Sequence, residues 1–469
     1  MGDELWRWDA VDLAQGIRTR RISSREATEA CLARMEAVNG KLNAVTVPMP
    51  EQALAAADAA DAAVKRGDVL GPLHGVPVTM KENVDQAGCA TANGVVAYKD
   101  LIADTDSAPV ANWKAAGAVI LGRTNAPAFS LRWDTDNDLR GRTFNPWSRG
   151  HTPGGSSGGA AAAAAAGIGP LAHGNDYGGS VRYPAYCCGL AGIRPSFGRV
   201  PAYNPTVQGE RPMTAQIMSV QGPLARKVRD VRIGLAAMAR RDARDPWFVP
   251  APMEGPPASR PIRVALCANP SGLGVHPAVA EAVKIAGEAL ADAGYAVEAV
   301  EPPSIGEAAA LWRRLVATDI RMLQWQTIQD LGDEGARRSV GFMTGSEPPL
   351  DLEGYMKSLA ERSRHVRDWT LFLDRYPIVL TPVSTEPPFA IGFDTDSAES
   401  MDRTMTAQRV QTAVPLIGMP AAVVPVGSVD GLPLGVHLIG PRFREDLILD
   451  AAEVIEARHG LDTPIDLAW

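Results

Sequence analysis

At 469 residues, with 46% hydrophobic and 21% charged side chains, the chain has an ordinary globular composition and is long enough to bury a large core. Its formal net charge of −8 speaks against a non-specific nucleic-acid binder, which needs a basic face to neutralise phosphates. Cys31, Cys89, Cys187, Cys188 and Cys267 are odd in number and have no metal-ligand spacing, so they read as reduced thiols of a cytoplasmic protein.

The start, Met1-Gly2-Asp3-Glu4-Leu5-Trp6, lacks the cationic and apolar regions of a secretion signal, and no stretch reads as a membrane span. Ser23-Ser24-Arg25-Glu26 predicts a capping box opening a helix to about Val38, with Asn39-Gly40 as its stop. An Ala-rich helix is expected over 53–65 and a short strand over 76–80, ending at Lys81. A helix over 112–116 and a buried strand over 118–121 follow. Residues 134–159 are rich in Gly, Pro, Asn and Ser and read as loop, followed by a helix over 160–166. Beyond a helix at 228–239 comes a Pro-rich stretch, 246–261. Strands are then expected at 262–267, 295–300, 378–380, 421–425 and 434–438, with a helix at 277–293. Such alternation favours an α/β fold, a sheet covered by helices. The whole of 1–469 reads as one domain, with 246–261 an insertion inside it.

Three stretches carry chemistry. Pro153-Gly154-Gly155-Ser156-Ser157-Gly158-Gly159 is a run of small residues before a helix, which suits either a capped turn or a close backbone approach. It matches the nucleophile elbow of α/β-hydrolases, with Ser156 as the attacking group of an esterase. That motif must follow a buried strand, and the preceding residues are polar with two prolines. No Lys follows the glycines, so a phosphate-binding loop fails. In Asp176-Tyr177-Gly178-Gly179-Ser180, successive N–H groups of a Gly-Gly turn can form an anion nest next to a hydroxyl nucleophile. Lys81 ends an apolar strand, where burial could leave it neutral and basic.

Together these stretches resemble the amidase signature family. The likeness rests on Lys81 at a strand end, the Gly-Gly-Ser-Ser-Gly-Gly run, and Asp-x-Gly-Gly-Ser-x-Arg-x-Pro from Asp176 to Pro184. Gly192-Ile193-Arg194-Pro195 and Gly222-Pro223-Leu224-Ala225-Arg226 match as well, and the motif-bearing core spans about 70–230. The resemblance implies a large mixed twisted β-sheet covered on both faces by helices. It implies Ser180 as nucleophile, Ser156 as bridging serine on a cis Gly155–Ser156 peptide, and Lys81 as base. An oxyanion hole would come from the N–H groups of Tyr177, Gly178, Gly179 and Ser180, with Ser157, Asp176 and Arg182 as supports. It implies no metal or organic cofactor.

Two positions depart from the family pattern. Tyr177 stands where a small or aliphatic residue is usual, reshaping the pocket beside the hole, and Ala128 replaces a common acidic residue. Residues 201–218 are expected to form a mobile lid over the acyl pocket, with Met213, Ile217 and Met218 as adaptable contacts. The family's reactions imply an amide or carbamate substrate, a urethane or an ester included. The stretch from Phe129 to Gly141 resembles bacterial broad-specificity amidases, urethane-cleaving enzymes among them. The expected enzyme is a monomer or homodimer acting on a small molecule, with no nucleic-acid or membrane partner. The alternatives are the glutaminase subunit of a tRNA-dependent amidotransferase, which needs partner chains, and a non-catalytic relative.

Overall fold

A computed structural model describes residues 4–206, 209–346, 348–467 and 469. The first three residues, and positions 207 and 208 of the expected lid, lie outside them. The capping box is present: Ser23 accepts from Glu26 N, and the Glu26 carboxylate accepts from Ser23 N at 2.7 Å. The helix Ser24–Leu42 nevertheless runs past Asn39-Gly40. Asn39 cannot act as a stop because its side chain supports the exit, Oδ1 accepting from Ala44 N and Val45 N. The stop is Asn43, in the left-handed region at φ 51°.

Among the described residues eleven strands form one sheet. They are β1 (Val45–Pro48), β2 (Pro77–Lys81), β3 (Val119–Thr124), β4 (Leu171–Asp176), β5 (Ala191–Arg194) and β6 (Val220–Ala225), then β7 (Arg263–Leu266), β8 (Ala296–Ala299), β9 (Ile378–Pro382), β10 (Ala421–Val429) and β11 (Leu432–Ile439). Their order is β1-β3-β2-β4-β6-β5-β10-β11-β9-β7-β8. The pairs β3/β2, β2/β4, β9/β7 and β7/β8 are parallel and the others antiparallel, so the sheet is mixed. Every residue of β2, β3, β6, β9 and β11 is buried. Because successive side chains point to opposite faces, both faces are covered. The strands after the Pro-rich stretch join this same sheet.

All seven expected strands are present, with ends moved by a few residues. Strands β1, β4, β5 and β6 were not expected. Segment β4 reads Leu-Ala-His-Gly-Asn-Asp and β6 contains Pro223, so neither shows a local β pattern. Pairing to each other from Leu171↔Ala225 to Asp176↔Val220 makes them strands. No described helix is long and apolar enough to cross a membrane.

Candidate active site

Neighbouring parallel strands β2 and β4 bring Lys81 and Asn175 to the same end of the sheet. There the loop before the helix Gly158–Ala165 delivers Ser156 and Ser157. All eight residues of that helix are Gly or Ala and buried, so its backbone lies close to its neighbours. Gly155 has the same role more acutely: a Cβ there would stand 2.3 Å from the Arg132 carbonyl oxygen. The Gly155–Ser156 peptide is cis.

Lys81 is fully buried and makes three short contacts. Its Nζ lies 2.7 Å from Ser156 Oγ, 3.1 Å from Ser157 Oγ and 2.8 Å from Asn175 Oδ1. An amide oxygen only accepts, whereas a hydroxyl both donates and accepts. This partner set accommodates an ammonium donating to all three oxygens, and equally a neutral amine that donates to Asn175 and one serine and accepts from the other. Burial pushes the lysine well below its usual pKa, and the charges of Asp176 and Glu82 oppose that only in part. Glu82 turns away from Lys81: its carboxylate accepts from Gly94 N at 2.9 Å and Arg140 Nε at 3.2 Å.

Ser180 follows the nest and is partly exposed, lining a cavity of about 810 Å³ with Ser156, Asn175 and Tyr177. Asp176 organises the turn from below. Its carboxylate accepts from Gly179 N (2.9 Å), Val181 N (3.3 Å), Arg182 Nε (2.9 Å) and Arg182 Nη2 (2.9 Å). Arg194 Nη1 donates to the Asp176 carbonyl at 2.6 Å. Burial alone would raise this carboxyl, but Arg182 and Arg194 outweigh it and hold it below the usual range. These bonds correct the expected four-donor nest. Gly179 N–H is taken by Asp176, whereas those of Tyr177, Gly178 and Ser180 have no partner among the described residues.

The cavity wall combines Tyr98, Leu101, Phe129, Leu131 and Tyr203 with polar Asn83, Asn204 and Gln221. Gln221 is oriented by His173, whose Nε2 lies 2.9 Å from Gln221 Oε1 and which burial pushes down to about 3. The 201–218 segment does border the cavity, through Ala202, Tyr203, Asn204, Thr206, Arg211 and Ala215. The three residues expected there do not line it: Met218 is buried in the core, Ile217 packs against that core, and Met213 faces solvent at 45% exposure. The segment's near end is tied down, Asp85 accepting from Thr206 N and Thr206 Oγ1 at 2.6 Å each. Ala128 packs with Val95 and Ala336 in a small apolar cluster, which accounts for its lack of charge.

The elbow reading of Ser156 has no support here. No strand precedes it, and none of His276, His365, His437 or His459 lines the cavity. His437 instead sits 3.3 Å from Arg182 Nη1. Sequence reasoning missed Asn175 as a partner of Lys81, although it stands immediately before the motif that opens at Asp176. The detectable signal was a polar amide beside Asp176 with no role assigned.

A family model described as Amidase matches residues 26–449. The chain belongs to the amidase signature family. It is similar to an indoleacetamide hydrolase of Bradyrhizobium diazoefficiens, 48% identical over 458 residues, covering 97% of this chain and 87% of that protein. It is also 33% identical over 481 residues to a glutamyl-tRNA(Gln) amidotransferase subunit from Moorella thermoacetica, covering 97% of each. Among solved structures, a bacterial aryl acylamidase of the amidase signature family superposes with a TM-score of 0.84 at 25% identity, covering 97% of each chain. The chain is thus an amide hydrolase acting on carbon–nitrogen bonds other than peptide bonds.

Proposed function

We propose that the protein hydrolyses small amides of arylacetic type, and aryl carbamates by the same route, through an acyl-enzyme on Ser180. The observation that carries the mechanism is the buried amine of Lys81 among Ser156, Ser157 and Asn175. The substrate class draws on the similarity to an indoleacetamide hydrolase and on a cavity within the usual range of ligand pockets, roughly 300–1,000 Å³.

In the proposed reaction Ser180 Oγ attacks the carbonyl carbon. Its proton passes to Ser156 Oγ, whose own proton passes to neutral Lys81 Nζ. The carbonyl electron pair moves onto oxygen, which accepts from the free N–H groups of the nest. As the intermediate collapses the C–N bond breaks, and the leaving nitrogen takes a proton from Ser156, which regains one from Lys81. Water then attacks the ester, its proton following the same relay, and the acid is released with Ser180 restored. Asp176 and Arg182 hold the nest, and Ser157 helps hold Lys81. The reaction draws on no cofactor and no partner chain, and the protein works as a monomer or homodimer in the cytoplasm.

The similarity to the amidotransferase chain favours one competing reading, release of ammonia from glutamine for a partner. Purified chain given indole-3-acetamide, an anilide, an aryl carbamate and glutamine separates the two. The proposal expects turnover of indole-3-acetamide and at least one aryl substrate, lost in Ser180→Ala. Turnover of glutamine alone, or activity surviving in Ser180→Ala, would overturn it.

A further inference from the structure

One helix grips the residue that opens the nest at both of its ends. The helix Ile305–Asp319 carries Trp312 and Asp319 two turns apart, hence on one face. Trp312 is 3% exposed, and its Nε1 donates to the Tyr177 carbonyl at 3.0 Å. The two rings meet edge to face, centroids 5.8 Å apart. At the other end, Tyr177 Oη lies 2.5 Å from Thr214 Oγ1, and Thr214 Oγ1 lies 2.5 Å from Asp319 Oδ2. A carboxylate cannot donate, so Thr214 donates to Asp319 and Tyr177 must donate to Thr214. Asp319 also accepts from Thr214 N at 2.9 Å and Tyr355 Oη at 2.7 Å.

Across a planar trans peptide, a carbonyl and the following N–H point in opposite directions. Trp312 draws the Tyr177 carbonyl toward itself, so the Gly178 N–H faces away from it, and that N–H has no partner among the described residues. The indole is so close that a Cβ on Gly178 would stand 2.7 Å from Trp312 Cζ2. We infer that Trp312 is a positioning residue of the oxyanion hole: its indole N–H aims the Gly178 N–H at the substrate oxygen, with Tyr177 as the handle. This gives the unusual Tyr177 a purpose. It rests on the reading of Ser180 as nucleophile.

The test compares wild type with Trp312→Phe, and with Trp312 replaced by the benzothienyl analogue, which keeps the bicyclic shape and lacks the N–H. Deleting an oxyanion donor costs about 10²–10³-fold in kcat. A donor left in place but no longer aimed should cost about tenfold to a hundredfold. KM should stay within about twofold, and the pH midpoint should not move, because Lys81 is untouched. Affinity for an aryl trifluoromethyl ketone should fall by the same factor as kcat. That ketone takes Ser180 Oγ at its carbonyl carbon, passes the serine proton to the relay and leaves the negative charge on oxygen.

If Phe unfolds the protein, the benzothienyl variant alone decides. Wild-type kcat and ketone affinity in the folded isostere, or a raised KM with unchanged kcat, would overturn the inference. Peptide mapping of wild type after a fluorophosphonate separates the two levels: absence of label on Ser180 would sink the nucleophile reading itself.

Discussion

Replacing Asn175 with Asp converts the one pure acceptor on Lys81 into a charge without changing its size. The carboxylate oxygen would sit where Oδ1 now lies, 2.8 Å from Nζ. At an effective dielectric of about 20, two unit charges at that distance attract by about 6 kcal/mol, equivalent to about 4 pH units on the lysine. Desolvation of the new carboxylate takes back part of this, so an upward shift of at least about 2 units is expected. Burial now holds Lys81 well below its usual value, so wild-type kcat/KM should rise through one ionisation in the neutral to alkaline range. In the variant the amine stays protonated at neutral pH. Activity there should fall about a hundredfold and return as pH climbs through the raised pKa. The assay is kcat/KM against pH on an anilide, with Asn175→Leu as the uncharged control that must not move the midpoint upward. A folded Asn175→Asp enzyme with an unmoved acid limb would show that Lys81 is not the titrating base.

Lys81→Arg should lose activity by several orders of magnitude at every accessible pH, because a guanidinium cannot give up its proton; an active variant with the wild-type pH profile would make Lys81 structural. Asp176→Asn strips the partner from buried Arg182 and should cost about 3–5 kcal/mol, read by urea unfolding at neutral pH. Because the folded pKa of Asp176 is depressed, its stabilisation is complete above the unfolded value of about 3.9 and fades as pH falls below it, so the gap to wild type should narrow in acid. Ala215→Phe, in the cavity wall, should lower kcat/KM for a bulky arylacetamide at least tenfold more than for a short aliphatic amide; equal losses would place Ala215 outside the substrate path.

Much of this was legible in the chain itself, for identifiable reasons. Lys81, Ser156 and Ser180 announce themselves because glycine runs and a strand-terminal lysine leave strong local patterns. Helices with a capping box or an apolar stripe, and strands such as 378–380, are equally local. The end of the first long helix was not legible, since Asn39 stops or supports a helix depending on where its side chain turns. Strands β4 and β6 become strands only by pairing, so no window of either shows the period of a strand. The grip on Tyr177 joins residues 177, 214, 312 and 319, which no spacing rule links. Met213, Ile217 and Met218 have adaptable side chains, but their six-residue helix turns Ala215 to the cavity instead.

The proposed mechanism requires a covalent intermediate on Ser180. Rapid acid quench of the enzyme with an activated aryl ester, followed by peptide mass mapping, reads this directly. One acyl group should accumulate within a turnover on the peptide containing Ser180, with none in Ser180→Ala. An acyl group on Ser156 or Lys81, or a Ser180→Ala enzyme that keeps more than about a few percent of its turnover, would contradict it.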